Sequence, residues 1–260
     1  MYSAAITGSG VFTPEHSITN DELVLAFNAH ADLFNAENAG AIAAGTMAAK
    51  PHSSSDFIFA ASGIERRYVL DKEGVLDPAR MYPKLPDRSN DDPSLMAEMA
   101  VDAALQAMAQ AGKSADDIDA VICAASNHER AYPAIAVEIQ NLLEIDGFAF
   151  DMNVACSSAT FGIQMATDMI KSGSISSALV VCPEICSAHL EWRDRDCHFI
   201  FGDVATALLI ERDDDLQTPH FKIKSTKLAT QFSNNIRNNN GFLRRSRDQM
   251  DDRRDMQFMQ

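Results

Sequence analysis

Short apolar runs rich in Val, Ile and Ala recur at 4–7, 120–125, 148–154, 178–182 and 205–210, with helical patterns between them. Runs of that length suit strands buried within a sheet and are too short for ordinary helices. The alternation therefore constrains the chain to an α/β architecture. The clearest helix follows Asp92, read as its N-cap, with Pro93 at the first helical position, then LMAEMAVDAALQAMAQ and Gly112 as the stop. A second helix is expected over 133–143, where Ile135, Ile139, Leu142 and Leu143 repeat at helical spacing. Residues 28–90 are rich in Ala, Pro, Ser and Asp with little periodicity, and read as long loops around one short ordered stretch.

With 260 residues, 46% of them hydrophobic, the chain can bury one large core or two small ones. No apolar run approaches the ~18 residues of a membrane helix. The opening MYSAAITGSG lacks the basic and apolar regions of a signal peptide, so a cytoplasmic location is expected. Cys123, Cys156, Cys182, Cys186 and Cys197 are odd in number and scattered through apolar segments, which suits reduced thiols rather than a disulfide framework. Cys182 and Cys186 have no second ligand pair, so no metal site is expected. A net charge of −15 argues against nucleic acid or an anionic membrane as partner. The GSG at Gly8 to Gly10 is not read as a dinucleotide loop, because the third glycine is missing and Pro14 follows too soon.

The stretch FDMNVACSSATFG puts Cys156 between an expected strand, 148–154, and an expected helix, 157–171, ended by Gly173. A helix N-terminus offers unpaired N–H groups and the positive end of the dipole, which favour a thiolate and can hold an oxyanion. Phe161, Ile163, Met165, Ala166, Met169 and Ile170 lie around much of that helix, as for one covered on several sides. Position alone is equally consistent with a small buried thiol that packs and does nothing else.

Several ordered blocks bear on that choice: ITGSGVFTPEHSITNDEL, SGIERRYV, YPAIAVEIQNLLEI, DMNVACSSATFGIQMATDMIKSG, ALVVCPEI and DRDCHFIFGDVATALLIER. Together they resemble the N-terminal half of the β-ketoacyl-acyl-carrier-protein synthase III family, thiolase-fold enzymes that begin fatty-acid synthesis. The resemblance implies a layered αβαβα fold. Residues 1–215 would form its first repeat, with the loops at 28–90, and 216–260 the start of the second, with a first strand over 221–229. It implies an acyltransferase that condenses an acyl-coenzyme A primer with malonyl-acyl-carrier protein through an acyl-cysteine on Cys156. Coenzyme A enters as substrate, with no further cofactor.

By the same resemblance Arg195 stacks on the adenine of coenzyme A, and Phe57 stands where the family often has a tryptophan on the other face. Ala61 replaces an arginine for the coenzyme phosphates, so the clamp is altered and a longer acyl primer than acetyl is expected. Phe201, Gly202 and Asp203 match a structural turn. Tyr132 matches an aromatic that crosses a two-fold interface to close the partner's acyl pocket, which implies a homodimer. The family's catalytic histidine and asparagine belong to a half without counterpart in these residues. The alternative is a non-condensing thiolase-fold subunit that binds acyl groups or pairs with another polypeptide. His189 and His198 are expected to be loop or core residues. The tail arginines Arg237, Arg244, Arg245, Arg247, Arg253 and Arg254 read as a solvated segment, or as an attraction for an acidic carrier protein.

Overall fold

A computed structural model describes residues 2–214, 216 and 219–233. In chain order the elements are β1 (Ala4–Phe12), β2 (His16–Thr19), α1 (Asn20–Glu37), α2 (Ala39–Ala43), α3 (Ser55–Ser62), β3 (Arg66–Val69), α4 (Glu73–Leu76), α5 (Leu95–Ala111), β4 (Ala120–Ala124), α6 (Ile135–Leu142), β5 (Phe148–Met152), α7 (Ser158–Ser172), β6 (Ser177–Ile185), β7 (Asp203–Arg212) and β8 (Phe221–Lys222). They fall into two units. The first draws on 2–13, Asp87–Glu184 and Val204–Thr230, the second on Pro14–Pro86 and Ile185–Asp203.

The first unit is built on a mixed sheet in the order β5-β4-β6-β7-β1-β8. β4 runs parallel to β5 and β6, while β1 is antiparallel to β7 and β8. Every residue of β4 is buried, because both faces are covered. Ala120, Ile122 and Ala124 join Ala166 and Ile170 of α7 and Val180 of β6 in one cluster. Val121 and Cys123 alternate to the opposite face, and α6 packs on β4 and β5. α5 lies on β1, and Gly8 and Gly10 are what let it come so close. A Cβ on Gly10 would meet the Ala103 carbonyl oxygen, and one on Gly8 the Ala107 carbonyl oxygen. The GSG pair thus serves helix-on-strand packing.

Three expectations change in this unit. The N-cap of α5 is Ser94, whose hydroxyl accepts from the Ala97 N–H. Asp92 instead accepts from the Ser89 N–H in the preceding turn, and Pro93 stands just outside the helix. The expected buried strand at 148–154 is β5, an edge strand with Phe148 45% exposed and the rest half-buried. Among the described residues it has a neighbour on one side only. The expected strand at 221–229 shortens to β8, and it pairs with β1 at the other edge of this same sheet.

Within the expected loops at 28–90 the structure places the second half of α1, with α2, α3, β3 and α4, while 44–54 and 77–90 stay without helix or strand. α1 starts at a capping box, where the Thr19 hydroxyl accepts from Glu22 N–H and the Glu22 carboxylate accepts from Thr19 N–H. Its Leu23, Ala26, Phe27 and Ala31 pack with Ile58 of α3, Val75 of α4, and Leu190 and Trp192 into one core. The Pro-, Ser- and Asp-rich stretches of the segment lie between these helices, at 44–54 and 77–90. β2 and β3 form a separate antiparallel pair.

Candidate active site

Cys156 lies on the five-residue connection between β5 and α7, and it is exposed. The turn is held from both ends. Asn153 accepts from the Ala155 N–H at 2.9 Å and donates to the Ser126 carbonyl at 2.6 Å. The Ser158 hydroxyl accepts from the Val154 N–H at 2.8 Å and donates to the Ala155 carbonyl at 2.7 Å. Between these anchors Ala155 has φ +47°, a left-handed conformation that costs a residue with a Cβ about 1–2 kcal/mol. The strained turn lifts the thiol out of the strand's path and presents it beside the start of α7.

Glu184 ties this turn to the sheet. Its carboxylate accepts from the Ser126 N–H at 2.6 Å and the Ser126 hydroxyl at 2.7 Å. Ser126 follows β4, Asn153 follows β5, and Glu184 lies near the end of β6, so the C-terminal ends of three parallel strands are linked. That end of a parallel sheet is where α/β proteins place ligands. Ser126, Asn153, Ser158 and Glu184 were not singled out from the sequence. Only Ser158, in the run of small residues after the cysteine, carries a local signal. On α7 the buried positions Ser158, Gly162, Ala166, Thr167 and Ile170 form one face, while Met165 is 37% exposed, so the helix is covered less completely than expected.

Other thiols and imidazoles are poor candidates for the same chemistry. Burial pushes the Cys182 thiol up to about 11 and Cys197 up to about 12, and Cys123, wholly buried, is raised further. His189 and His198 are both pushed down to about 4 by burial and are neutral at physiological pH. His198 is a core residue, stacked on Phe27 at 4.6 Å between ring centroids.

The second unit brings Arg195 and Phe57 together. The Arg195 guanidinium lies 3.7 Å from the Phe57 ring centroid, and its Nε donates to the His52 carbonyl at 2.9 Å. Phe57 sits on α3, and Ala61 is exposed on the same helix. A planar base between two stacking partners needs them about 7 Å apart, two van der Waals contacts. The pair is therefore stacked on itself. Beside it a cleft of about 580 Å³ is lined by Phe34, Lys50, Arg193 and Arg195 and by the carboxylates Glu191, Asp194 and Asp196. Phe201 and Gly202, expected as a turn with Asp203, lead directly into β7. Asp203, 2% exposed, accepts from Leu70 N–H, Ser187 N–H and the Ser187 hydroxyl at 2.7–2.8 Å, and burial raises its carboxyl above the usual range. In the first unit, Tyr132 is 87% exposed. The six tail arginines lie outside the described residues.

The family model for 3-oxoacyl-[acyl-carrier-protein] synthase III matches residues 150–231, a stretch that contains Cys156 and Arg195. A curated relative, the β-ketodecanoyl-[acyl-carrier-protein] synthase of Pseudomonas aeruginosa, is 56% identical over 236 residues, covering 90% of this chain and 67% of that protein. The chain belongs to the β-ketoacyl-acyl-carrier-protein synthase III family. A second synthase III, from Granulibacter bethesdensis, is 32% identical over 232 residues, 89% of this chain and 58% of the relative. The crystal structure of the Aquifex aeolicus synthase III superposes with a TM-score of 0.62 at 25% identity, over 82% of this chain and 55% of that one. The fold is thus that of the thiolase-type condensing enzymes, and the chain spans between half and two thirds of these synthase III relatives. Among the described residues no helix is long and apolar enough to cross a membrane.

Proposed function

We propose that the protein takes an acyl group from a coenzyme A thioester onto Cys156 and condenses it with malonyl-acyl-carrier protein. In the first step the Cys156 sulfur attacks the thioester carbonyl. A new carbon–sulfur bond forms, the bond to coenzyme A breaks, and the coenzyme leaves as its thiol with the proton. In the second, the malonyl group loses carbon dioxide and its α-carbon attacks the acyl-cysteine, which releases the Cys156 thiolate and a β-ketoacyl-carrier product. The family's histidine and asparagine, which resemblance assigns to the enolate oxygen, belong to the part of the family outside the stretch matched by these residues. The observation that carries the reading is the exposed Cys156 thiol on a strained turn, anchored by Asn153 and Ser158, at the C-terminal end of parallel strands.

The primer is a medium-chain acyl group. The Pseudomonas relative is named for a β-ketodecanoyl product. Condensation adds two carbons, so a ten-carbon product requires an eight-carbon primer. Replacement of the usual tryptophan and arginine by Phe57 and Ala61 supports this, because weaker coenzyme contacts shift affinity toward acyl burial, worth about 0.8 kcal/mol per methylene. Arg195 and the adjoining Lys50 and Arg193 line the cleft that would take the coenzyme's adenylate and phosphates. For an adenine sandwich Arg195 swings off Phe57. The functional unit is a homodimer in which Tyr132, exposed in the single chain, reaches the partner's acyl site. Loading rates with acetyl-, octanoyl- and palmitoyl-coenzyme A test the reading. Octanoyl should load fastest, and a clear preference for acetyl would refute the primer assignment.

A further inference from the structure

Cys123 on β4 and Asp151 on β5 are register partners in a parallel ladder, so their side chains leave the sheet side by side on the face that α6 covers. The chain after β4 returns His128 to the same place. Its Nε2 lies 3.8 Å from Asp151 Oδ2, is buried, and has no hydrogen-bond partner among the described residues. One donor atom from each of the three residues lies within 4.8 Å of the other two. We propose that Cys123, His128 and Asp151 form a binding site for a single zinc-like divalent cation, a property separate from the acyl transfer proposed above.

The geometry is close to what such an ion needs. Around a tetrahedral zinc with bonds of roughly 2.0–2.3 Å, neighbouring ligand atoms lie about 3.3–3.8 Å apart. The His128–Asp151 pair already stands at that separation, and the thiol has about 1 Å or less to travel. At 3.8 Å the pair is too far apart for a direct hydrogen bond. A cation between the two would satisfy the buried Nε2, which otherwise loses hydration without replacement. Asp151 is also oriented in advance. Its Oδ2 accepts from the Ile135 N–H at 2.9 Å and its Oδ1 from the Ala136 N–H at 2.8 Å. Each oxygen keeps one lone pair, and the helix N–H groups act as the outer shell that fixes a ligating carboxylate.

Sulfur, imidazole nitrogen and carboxylate oxygen together select zinc or cobalt over magnesium or calcium. Three protein ligands leave a fourth position for water. Binding releases the thiol proton to solvent as the metal–sulfur bond forms, the imidazole stays neutral, and no electron is transferred. The ion would pin the ends of β4 and β5 to the segment that leads through Tyr132 into α6.

The test uses full-length protein carrying Cys156→Ala, so that the exposed thiol cannot hold metal, stripped with chelator and titrated with Co²⁺. Binding of one equivalent with thiolate-to-cobalt charge-transfer absorption, reversed by Zn²⁺, is the expected result. Adding Cys123→Ser should abolish the charge-transfer band. Adding His128→Ala should weaken binding by more than the roughly 10- to 100-fold seen for loss of an outer-shell partner. Circular dichroism verifies that each variant is folded, and if Cys123→Ser does not fold, His128→Ala, outside the strands, decides by itself. Absence of the band at stoichiometric Co²⁺ overturns the proposal, as does a band of full intensity and unchanged affinity in folded His128→Ala.

Discussion

Replacing Gly162 by alanine should destabilise the protein and slow acylation of Cys156, although alanine is the better helix former. A methyl group on Gly162 would stand 2.8 Å from Val180 Cγ1 and 3.1 Å from Ala124 Cβ. Against an ordinary contact of about 3.5 Å, the first is short by about 0.7 Å. Neither neighbour can turn aside: both are about 1% exposed, one is β-branched, and the other ends at its Cβ. The gain in helix propensity is about 1 kcal/mol, and forcing a methyl into a packed site costs about 1–3 kcal/mol. With two rigid contacts the cost lies in the upper part of that range, which leaves a net loss of about 1–2 kcal/mol. Thermal denaturation should then show Tm lower by roughly 2–8 °C. Relief of the overlap lifts α7 off the sheet and moves the turn that presents Cys156. Because ~1 Å of misplacement can cost about 100-fold, acylation by octanoyl-coenzyme A should slow by at least about tenfold. A variant with raised Tm and an unchanged acylation rate would refute the claim that contact between α7 and the sheet positions the thiol.

Four further outcomes are expected. Ala155→Val puts a β-branched residue at φ +47° and should lower stability by about 1–3 kcal/mol in urea unfolding, with loss of acylation; a neutral result would mean that the turn is not strained. Arg195→Ala should raise KM for octanoyl-coenzyme A by roughly 2- to 30-fold and leave octanoyl-pantetheine unaffected; equal effects on both would place Arg195 away from the coenzyme. His198 binds its proton near 6.5 when unfolded and near 4 when folded, so its contribution is full above pH 6.5 and is lost as pH falls toward 4; His198→Phe should flatten stability over that window by up to about 3 kcal/mol, and an unchanged slope would contradict the buried neutral imidazole. Glu22 is held down at about 2 by the hydrogen bond from Lys72, followed by that from the Thr19 N–H, so Glu22→Gln should be destabilising by less than about 1 kcal/mol above pH 4.5, with the difference fading as pH falls toward 2.

Local signals carried β1, β4, β5, β6 and β7, the stops at Gly112 and Gly173, and the placement of Cys156 between strand and helix, because each depends on a few neighbouring residues, while the four-residue strands β2 and β3 gave no such signal. The Asp92–Pro93 pair misled about the start of α5, since Ser94 offers the same chemistry two residues later and α5 begins at Leu95. α1 was legible in principle from Thr19 and Glu22 at capping-box spacing, but the Ala-, Asn- and Asp-rich stretch after it obscured the stripe of Leu23, Phe27 and Ala31. The exposure of β5 follows from its place at the sheet edge, which is a matter of strand order and not of composition. The same limit hid the hydrogen bonds of Ser126 and Asn153, the tie to Glu184, and the pairing of Cys123 with Asp151. Each joins residues 27–58 positions apart, and only strand register brings them together. The left-handed turn at Ala155 had no signal, because alanine there gives no hint of a positive φ.

The most direct measurement is the site of acyl transfer. Protein incubated with octanoyl-coenzyme A and quenched in acid should gain the mass of one octanoyl group per chain, and peptide mapping should find it on Cys156, with none on Cys156→Ser. An acyl group mapped to Cys186 or another thiol, or no mass gain while Cys156 remains open to alkylation, would contradict the assignment of Cys156 as the acyl-accepting nucleophile.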